Sequence, residues 1–572
     1  MQARFCPEDE YFSLLKSWCD GLIRYQIDAP DFPEFDGGIA CPSCKTIHGR
    51  CHDAIYPMMT VYRRTKDEKY LKSAKKLFAW GENLLCDDGS FYNDAQSAWN
   101  GVTVFHAISL HDALTRHGDL LDEETRKAWE ARLEKMGDWL FQCITPGAHF
   151  HINYLCANAC AMALLGKYFR NHEYARLSKE LAYTAAERLS ENGLLSGEGR
   201  QSNAKTAKGC SAIDIGYNVE ESLPCLIRYA EASGDEQALG IFEESFRAHL
   251  SFMLPDGAWD NSFGTRNFKW TYWGGRTSDG CLEALNFLGK RDPVFAEAGY
   301  RNFLLLKRFT SGGLLYGGRD YAAHGEKPCT HHAFCHAKAL ASVLDEGVCA
   351  FERAEIPSDH AECMKYYPEL DLWRVSVGDW RADVCAYDFP FMRGGHISGG
   401  SISLLWHREY GPVIAAGAVD EILREPNNQQ LSLKKSDCRS SAPRVEAVVG
   451  NKRCGQHYDG SANVSAKASE GVVSVRVSAR LTDDGQNPLP DSACELHYEF
   501  TPEKITVSGR VPLSVPGVCY KLPVVSDLAT VAVLTGRLGG NPVRMFNLNP
   551  GFIGREYTVY PDENGQFSLT IS

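Results

Sequence analysis

The sequence predicts an α+β multidomain chain: an N-terminal (α/α)6 toroid over residues 1–350, a linker at 351–370 and a C-terminal antiparallel β-sandwich over 371–572. Three observations carry that expectation. Apolar residues recur three and four apart in about a dozen stretches of the first 345 residues, the period of helices with a buried face. These stretches alternate between amphipathic ones, such as "EKYLKSAKKLFAWGENLL", and shorter, more apolar ones, such as "YLCANACAMALLGKYF". From residue 371 the pattern changes to alternating apolar and polar residues between turn signals, as in "GVVSVRVSARL" and "CELHYEFTPEKITVSGRVPL", the mark of half-buried strands.

The connections order the helices. Each apolar helix runs into a short polar turn ("RRTKDEKY", "RHGDLLDEE", "FRNHEY", "ASGDEQ", "GKRDP"), and each amphipathic helix into a long loop. Four long loops open alike, "DDGSFYND", "ENGLLSGEG", "PDGAWDNSFG" and "SGGLLYGGRD", with glycines at 89, 193, 257 and 313. The first interval approaches two periods if the loop within "FQCITPGAHFHINY" has drifted. A two-helix unit repeating every ~50–60 residues is a helical hairpin. Six such hairpins close most economically as a toroid, with the apolar helices inside; an open solenoid is the alternative. The long loops then share one decorated face, where function concentrates.

Composition narrows the partners. A net charge of −13, from 60 Lys+Arg against 73 Asp+Glu, argues against a general nucleic-acid binder, while a local basic pocket can still hold an anionic sugar. No stretch approaches the roughly 20 apolar residues of a membrane span. The N-terminus "MQARFCPEDEYF" has no apolar run, and 21 scattered cysteines fit a reducing compartment. A cytoplasmic protein is expected, with a removed leader and a homodimer left open. In "CPSCKTIHGRCHD", Cys41, Cys44, His48 and Cys51 are zinc-ligand types, but no second spaced pair follows. The segment reads as a loop with buried thiols, and no metal or other cofactor is expected.

If the inner helices begin where the long loops end, their first turns ring one mouth. The ring comprises His52 and Asp53; Trp99 and Asn100; His151, Asn153 and Tyr154; Tyr217, Asn218, Glu220 and Glu221; Arg276 and Asp279; and His331, His332 and His336. The loops add Arg50, Glu198, Asp214, Asp260, Arg266, Lys269, Trp270, Trp273, Arg319 and Tyr321. Helix starts present unpaired N–H groups, which favours an anionic ligand. The stretch 259–280, "WDNSFGTRNFKWTYWGGRTSDG", combines rings and charges without helix or strand period, as a saccharide site needs. Any single Asp or Asn here also reads as a helix cap, and any ring as the floor of the loop.

Two chemistries compete for these residues. Glycoside hydrolysis needs two carboxyl groups flanking the bond, and Glu220 or Glu221 with Asp260 or Asp53 are the catalytic candidates. Glu220 and Glu221 are helix neighbours diverging by about 100°, so one of them is expected to face the axis. Substrate contacts fall to Arg266, Arg276, Arg319, His331 and His332 for a carboxylate, to Trp270 or Trp273 for stacking, and to His151, Asn153, Tyr154 and Tyr321. A lyase would instead take the proton beside a uronate carboxylate with a Tyr or His, and "HINY" and "RDYAAHGEKPCTHHAFCH" hold those types.

The segments "CPSCKTIHGRCHDAIYP", "KGCSAIDIGYNVEESLP", "WDNSFGTRNFKWTYWGGRTSDG" and "CTHHAFCHAKALA", followed by "GGSISLLWHREYGPV", resemble the bacterial heparinase II/III-like toroid proteins. More narrowly, they resemble glycoside hydrolase family 154. That resemblance implies a uronic-acid saccharide as partner and hydrolysis of terminal β-linked glucuronic acid, an exo-β-glucuronidase. It assigns no carboxylate pair, and elimination by a polysaccharide lyase is the second expectation.

Overall fold

A computed structural model describes residues 4–95, 97–199, 204–360, 362–389, 391, 397–417 and 440–572. Part of the span read as β-sandwich, residues 418–439, lies outside the described residues. The toroid is built from α1 (Glu8–Ile23), α2 (Ile55–Thr65), α3 (Glu68–Trp80), α4 (Thr103–His117), α5 (Glu123–Cys143) and α6 (Ile152–Tyr168). It continues with α7 (His172–Ala186), α8 (Leu223–Ser233), α9 (Glu236–His249), α10 (Leu282–Gly289), α11 (Pro293–Arg308) and α12 (Thr330–Glu346).

Burial separates two rings. Along α6 nearly every side chain is buried, whereas α7 buries the stripe Tyr174, Leu177, Ser178, Leu181, Ala182 and Ala185. The even-numbered helices contact one another in succession, and α12 packs on α2. The ring is therefore closed, and the open-solenoid alternative falls away. On the outside, α1 packs on α12, and the Trp18 indole N–H donates to Thr310 Oγ1 at 2.9 Å beyond the end of α11.

Both kinds of connection have a physical cause. The short turns supply the N-caps of the outer helices: Asp67, Asp122, Asn171, Asp235 and Asp292 each accept a backbone N–H of the first turn. Each such cap stabilises its helix by about 1 kcal/mol. The long loops open with a tight reversal, bridged Leu85↔Phe91, Leu189↔Leu195 and Met253↔Trp259, with a short hairpin at Thr310–Leu315. Gly89, Gly193, Gly257 and Gly313 all hold positive φ, which side chains disfavour. A Cβ on Gly89 would lie 2.5 Å from Lys135 O in α5, and one on Gly313 would lie 2.7 Å from Ser17 O in α1. Each reversal thus abuts an outer helix, and the last abuts the first.

The β region forms two further layers. Met364–Tyr367, Leu372–Val377, Trp380–Cys385, Ser401–His407 and Gly411–Ala415 make a five-stranded antiparallel meander. It begins inside the segment read as linker, because Met364–Tyr367 pairs with Val375–Leu372. One face of this sheet (Val375, Ala382, Ile402, Leu405) shares a core with the larger antiparallel sheet through Val445, Val475, Tyr498 and Leu522. The other face (Leu372, Leu404, Trp406) continues the toroid core. Its central strands are accordingly buried on both sides rather than one. In the outer sheet Val472–Thr482 alternates buried and exposed positions as expected.

Candidate active site

A cleft of about 290 Å³ opens on the long-loop face. Its wall is made by helix starts. His151 precedes α6, and Asn153 and Tyr154 occupy its first turn, which has no side-chain cap. Tyr217 and Glu221 come from the entry to α8, where a π turn spans Asn218–Ser222. Single π turns interrupt helices at functional positions because they rotate neighbouring side chains out of register. Asp214 holds this entry: it caps Tyr217 N–H at 3.0 Å and accepts from Arg266 N–H at 2.8 Å and Asn261 Nδ2 at 2.9 Å. The loop carrying Arg266 and Lys269 is thereby fixed against α8.

The π turn splits the glutamate pair. Glu221 faces the cleft, accepting from Asn153 Nδ2 at 3.1 Å with Arg50 Nη1 at 3.5 Å. Burial and the Asp279 carboxylate outweigh Arg50 and push its pKa up to about 8, which favours the protonated acid. Glu220 points away, into the 270–280 loop, accepting from Gly275 N–H at 2.7 Å and Ser278 Oγ at 2.6 Å. Its role there is to hold the loop.

Tyr217 and Tyr154 differ in their partners. The Tyr217 hydroxyl meets Thr277 Oγ1 and has Lys269 Nζ at 3.3 Å, while the Arg266 guanidinium lies 4.8 Å from its ring centroid. Burial raises its pKa well above the usual phenol value, Arg266 opposes, and Glu221 and Glu198 reinforce. Tyr154 oxygen accepts the Trp99 indole N–H at 3.1 Å, which leaves its own O–H to donate. Trp99 is 41% exposed and stands on the rim. His151 Nδ1 accepts Gly199 N–H at 3.2 Å, so in the neutral ring the proton sits on Nε2. Burial, then Arg50 and His48, hold His331 neutral on the cleft wall. From the β domain, Phe391 packs 5.4 Å from the Arg266 guanidinium and 6.1 Å from the His151 ring.

The structure therefore brings Glu221, His151, Asn153, Tyr154, Arg266 and His331 together and places the other candidates elsewhere. Asp53 is fully buried in an ion cluster with Arg50 Nε at 3.0 Å and Lys338 Nζ at 3.5 Å, which hold it ionised against burial. Asp260 lies beneath the β domain, 3.5 Å from Arg374. Trp270 and Trp273 are fully buried and donate to Trp259 O and Tyr316 O, so they floor the loop rather than stack on a sugar. Arg276 donates to Phe268 O inside the same loop. Arg319 binds Asp320 and Val525 O, and Tyr321 donates to Leu548 O; both serve the domain interface. His332 is buried against Trp273, with its pKa lowered to about 3 by burial and Arg276. Tyr217, Arg50, Lys269 and Trp99 stood in the predicted mouth ring but outside the catalytic and binding sets. Asn93, Ser97, Phe105 and Thr277 also line the cleft and were not picked out. Their signal was position alone, in the loop after α3, in α4 and in the aromatic stretch.

A ring of helix starts holding an acid, amides, phenols and cations beneath an aromatic rim offers the donors, charges and stacking surface that an anionic saccharide would need. Comparison with known proteins supplies the family. Residues 15–360 match the family described as the ulvan lyase N-terminal domain, and residues 364–535 match the ulvan lyase C-terminal domain. A broad-specificity ulvan lyase from Formosa agariphila is 35% identical over 527 residues, covering 90% of this chain and 82% of that protein. The chain belongs to the ulvan lyase family. Among solved structures, the heparan sulfate lyase HepC from Pedobacter heparinus is 10% identical, covers 91% of this chain and 76% of its own, and has a TM-score of 0.45. The chondroitin AC lyase of Streptomyces coelicolor A3 is 12% identical with 98% and 82% covered and a TM-score of 0.48.

These findings correct the resemblance to glycoside hydrolase family 154 and, with it, the expectation of a hydrolase and exo-β-glucuronidase. The cleft gives the physical reason. Hydrolysis needs two carboxyl groups across the bond, and among the described residues that line the cleft Glu221 is the single carboxyl. Four of the motifs that suggested the hydrolase family belong to the toroid and its loops, the fifth to the β meander, and a toroid mouth does not by itself distinguish hydrolysis from elimination.

Proposed function

We propose that the protein is a polysaccharide lyase that cleaves a uronic-acid-containing polymer of the ulvan type by β-elimination. The observation that carries this is the Glu221–Asn153 pair: a buried carboxyl and an amide 3.1 Å apart in a cleft of phenols, imidazoles and cations, with burial and Asp279 pushing the carboxyl toward its protonated form. The similarity to the Formosa agariphila enzyme supports ulvan as the substrate class.

Elimination demands three things of the chain. The uronate carboxylate must be neutralised so that the adjacent C5–H becomes acidic; Glu221 O–H and Asn153 Nδ2 are donors for it, with Arg266 adding positive charge. A base must take the C5 proton. Tyr217 serves: it lines the cleft, Arg266 over its ring opposes the rise in pKa that burial imposes, and Lys269 donates to its oxygen at 3.3 Å, so these two cations work toward the phenolate that abstraction needs. The C5–H electron pair then forms the C4=C5 double bond, the C4–O4 bond breaks, and O4 receives a proton from Tyr154 O–H. His151 Nε2–H and the Trp99 face orient neighbouring sugars.

The test is one incubation read two ways. With ulvan, the ultraviolet band of an unsaturated uronate should rise without release of free glucuronic acid, and an aryl β-glucuronide should release no chromophore. Free glucuronic acid or chromophore without that band would sink the reading.

A further inference from the structure

The segment "CPSCKTIHGRCHD" is not absorbed by the cleft chemistry. Cys41 and Cys44 bracket a tight turn in which Cys41 N–H donates to Thr46 O and Lys45 N–H returns to Cys41 O, with Lys45 at φ 59°. Cys44 N–H points at Cys41 Sγ, 3.3 Å away. Cys329, immediately before α12, brings its Sγ to 3.6 Å from Cys41 Sγ and 3.7 Å from Cys44 Sγ. His48 Nε2 lies 3.6 Å from Cys329 Sγ, and the four donor atoms all fall within 4.8 Å of one another. Cys41, His48 and Cys329 are buried.

These separations are informative. A disulfide would need sulfurs about 2.0 Å apart. A tetrahedral zinc with Zn–S near 2.3 Å and Zn–N near 2.05 Å sets S···S edges of about 3.8 Å and S···N edges of about 3.6 Å. The three edges given above match that tetrahedron. Buried thiols that merely fill space have no reason to converge on an imidazole nitrogen. Cys51, grouped with this segment by sequence, is buried in the apolar core instead.

We propose that Cys41, Cys44, His48 and Cys329 form a closed, structural zinc site. Four protein ligands leave no open position, so the ion staples the Cys41–His48 loop to the start of α12 rather than reacting. The staple bears on the cleft, because Arg50 follows this loop by two residues and His331 follows Cys329 by two, with the His48 and His331 rings 5.7 Å apart.

The test is metal content of the purified full chain, which does not depend on which reaction the cleft performs. About one zinc per chain is expected. Chelation should lower the melting temperature, and added Zn²⁺ should restore it. Cobalt substitution should give thiolate-to-cobalt charge-transfer bands with tetrahedral visible bands. C329S and C44S should lose the metal, while C51S should keep it, separating this quartet from the one contiguous in sequence. If C329S fails to fold, the wild-type cobalt spectrum and C51S still decide. Wild type purified without metal that takes up neither Zn²⁺ nor Co²⁺ under reducing conditions would overturn the proposal, as would loss of metal in C51S with retention in C329S.

Discussion

Glu221→Gln should flatten the dependence of stability on pH between about 4.5 and about 8. In the native protein the carboxyl is fully buried beside Asp279 and keeps its proton up to about 8, against an ordinary 4.5. Above 4.5 the unfolded chain ionises this group while the native chain does not. The unfolded state then binds fewer protons, so stability falls as pH rises through that window and levels off above it. At about 1.4 kcal/mol for each tenfold change in proton affinity, the interval caps the loss at about 5 kcal/mol. Glutamine keeps the shape and the acceptor for Asn153 but cannot ionise. Urea unfolding of wild type and variant at about pH 5 and about pH 9 should show a difference that grows with pH in the variant's favour, by about 2–5 kcal/mol. Pairing the proteins cancels the titration of other groups. Parallel stability curves across the window would mean that Glu221 ionises normally, and the neutralising role proposed for it would fail.

Tyr217→Phe should lower kcat by about 10²–10⁴-fold with a small change in KM, measured by unsaturated-uronate absorbance. Loss confined to KM would assign Tyr217 to binding. Asn153→Ala should cost about 10²–10³-fold in kcat/KM, the scale of one lost donor to a developing charge; an effect below tenfold would remove it from that role. Asp122→Ala should lower stability by about 1 kcal/mol through the lost cap of α5 and leave kcat unchanged, which thermal melts and initial rates check together.

The toroid was legible because its punctuation is chemical. Asp67, Asp122, Asn171, Asp235 and Asp292 cap helices, and Gly89, Gly193, Gly257 and Gly313 turn where side chains cannot, so both connection types left a mark in the residue order. The site was legible only as a ring of helix starts. Which of Glu220 and Glu221 faces the cleft depends on a π turn, and no apolar period announces one. Trp270 and Trp273 look like sugar platforms in a charged stretch, yet their indole N–H groups find backbone carbonyls in the core. Elimination and hydrolysis differ by the placement of a second carboxyl, and placement across a ring is not a property of local sequence. Cys329 lies far along the chain from Cys41, so its meeting with that loop follows from closure.

Closure also has a consequence for biogenesis. The partner of α1 is α12, the last helix of the ring, and the reversal at Gly313 rests on Ser17. As the chain leaves the ribosome, α2 and α3 can pack on α1 early, but its largest helix contact, with α12, waits until that last helix emerges. Contacts so distant in sequence are slow to form, and the exposed intermediate is prone to associate with others of its kind. Expression yield should therefore depend on translation pace and chaperone supply more than on the stability of the finished ring.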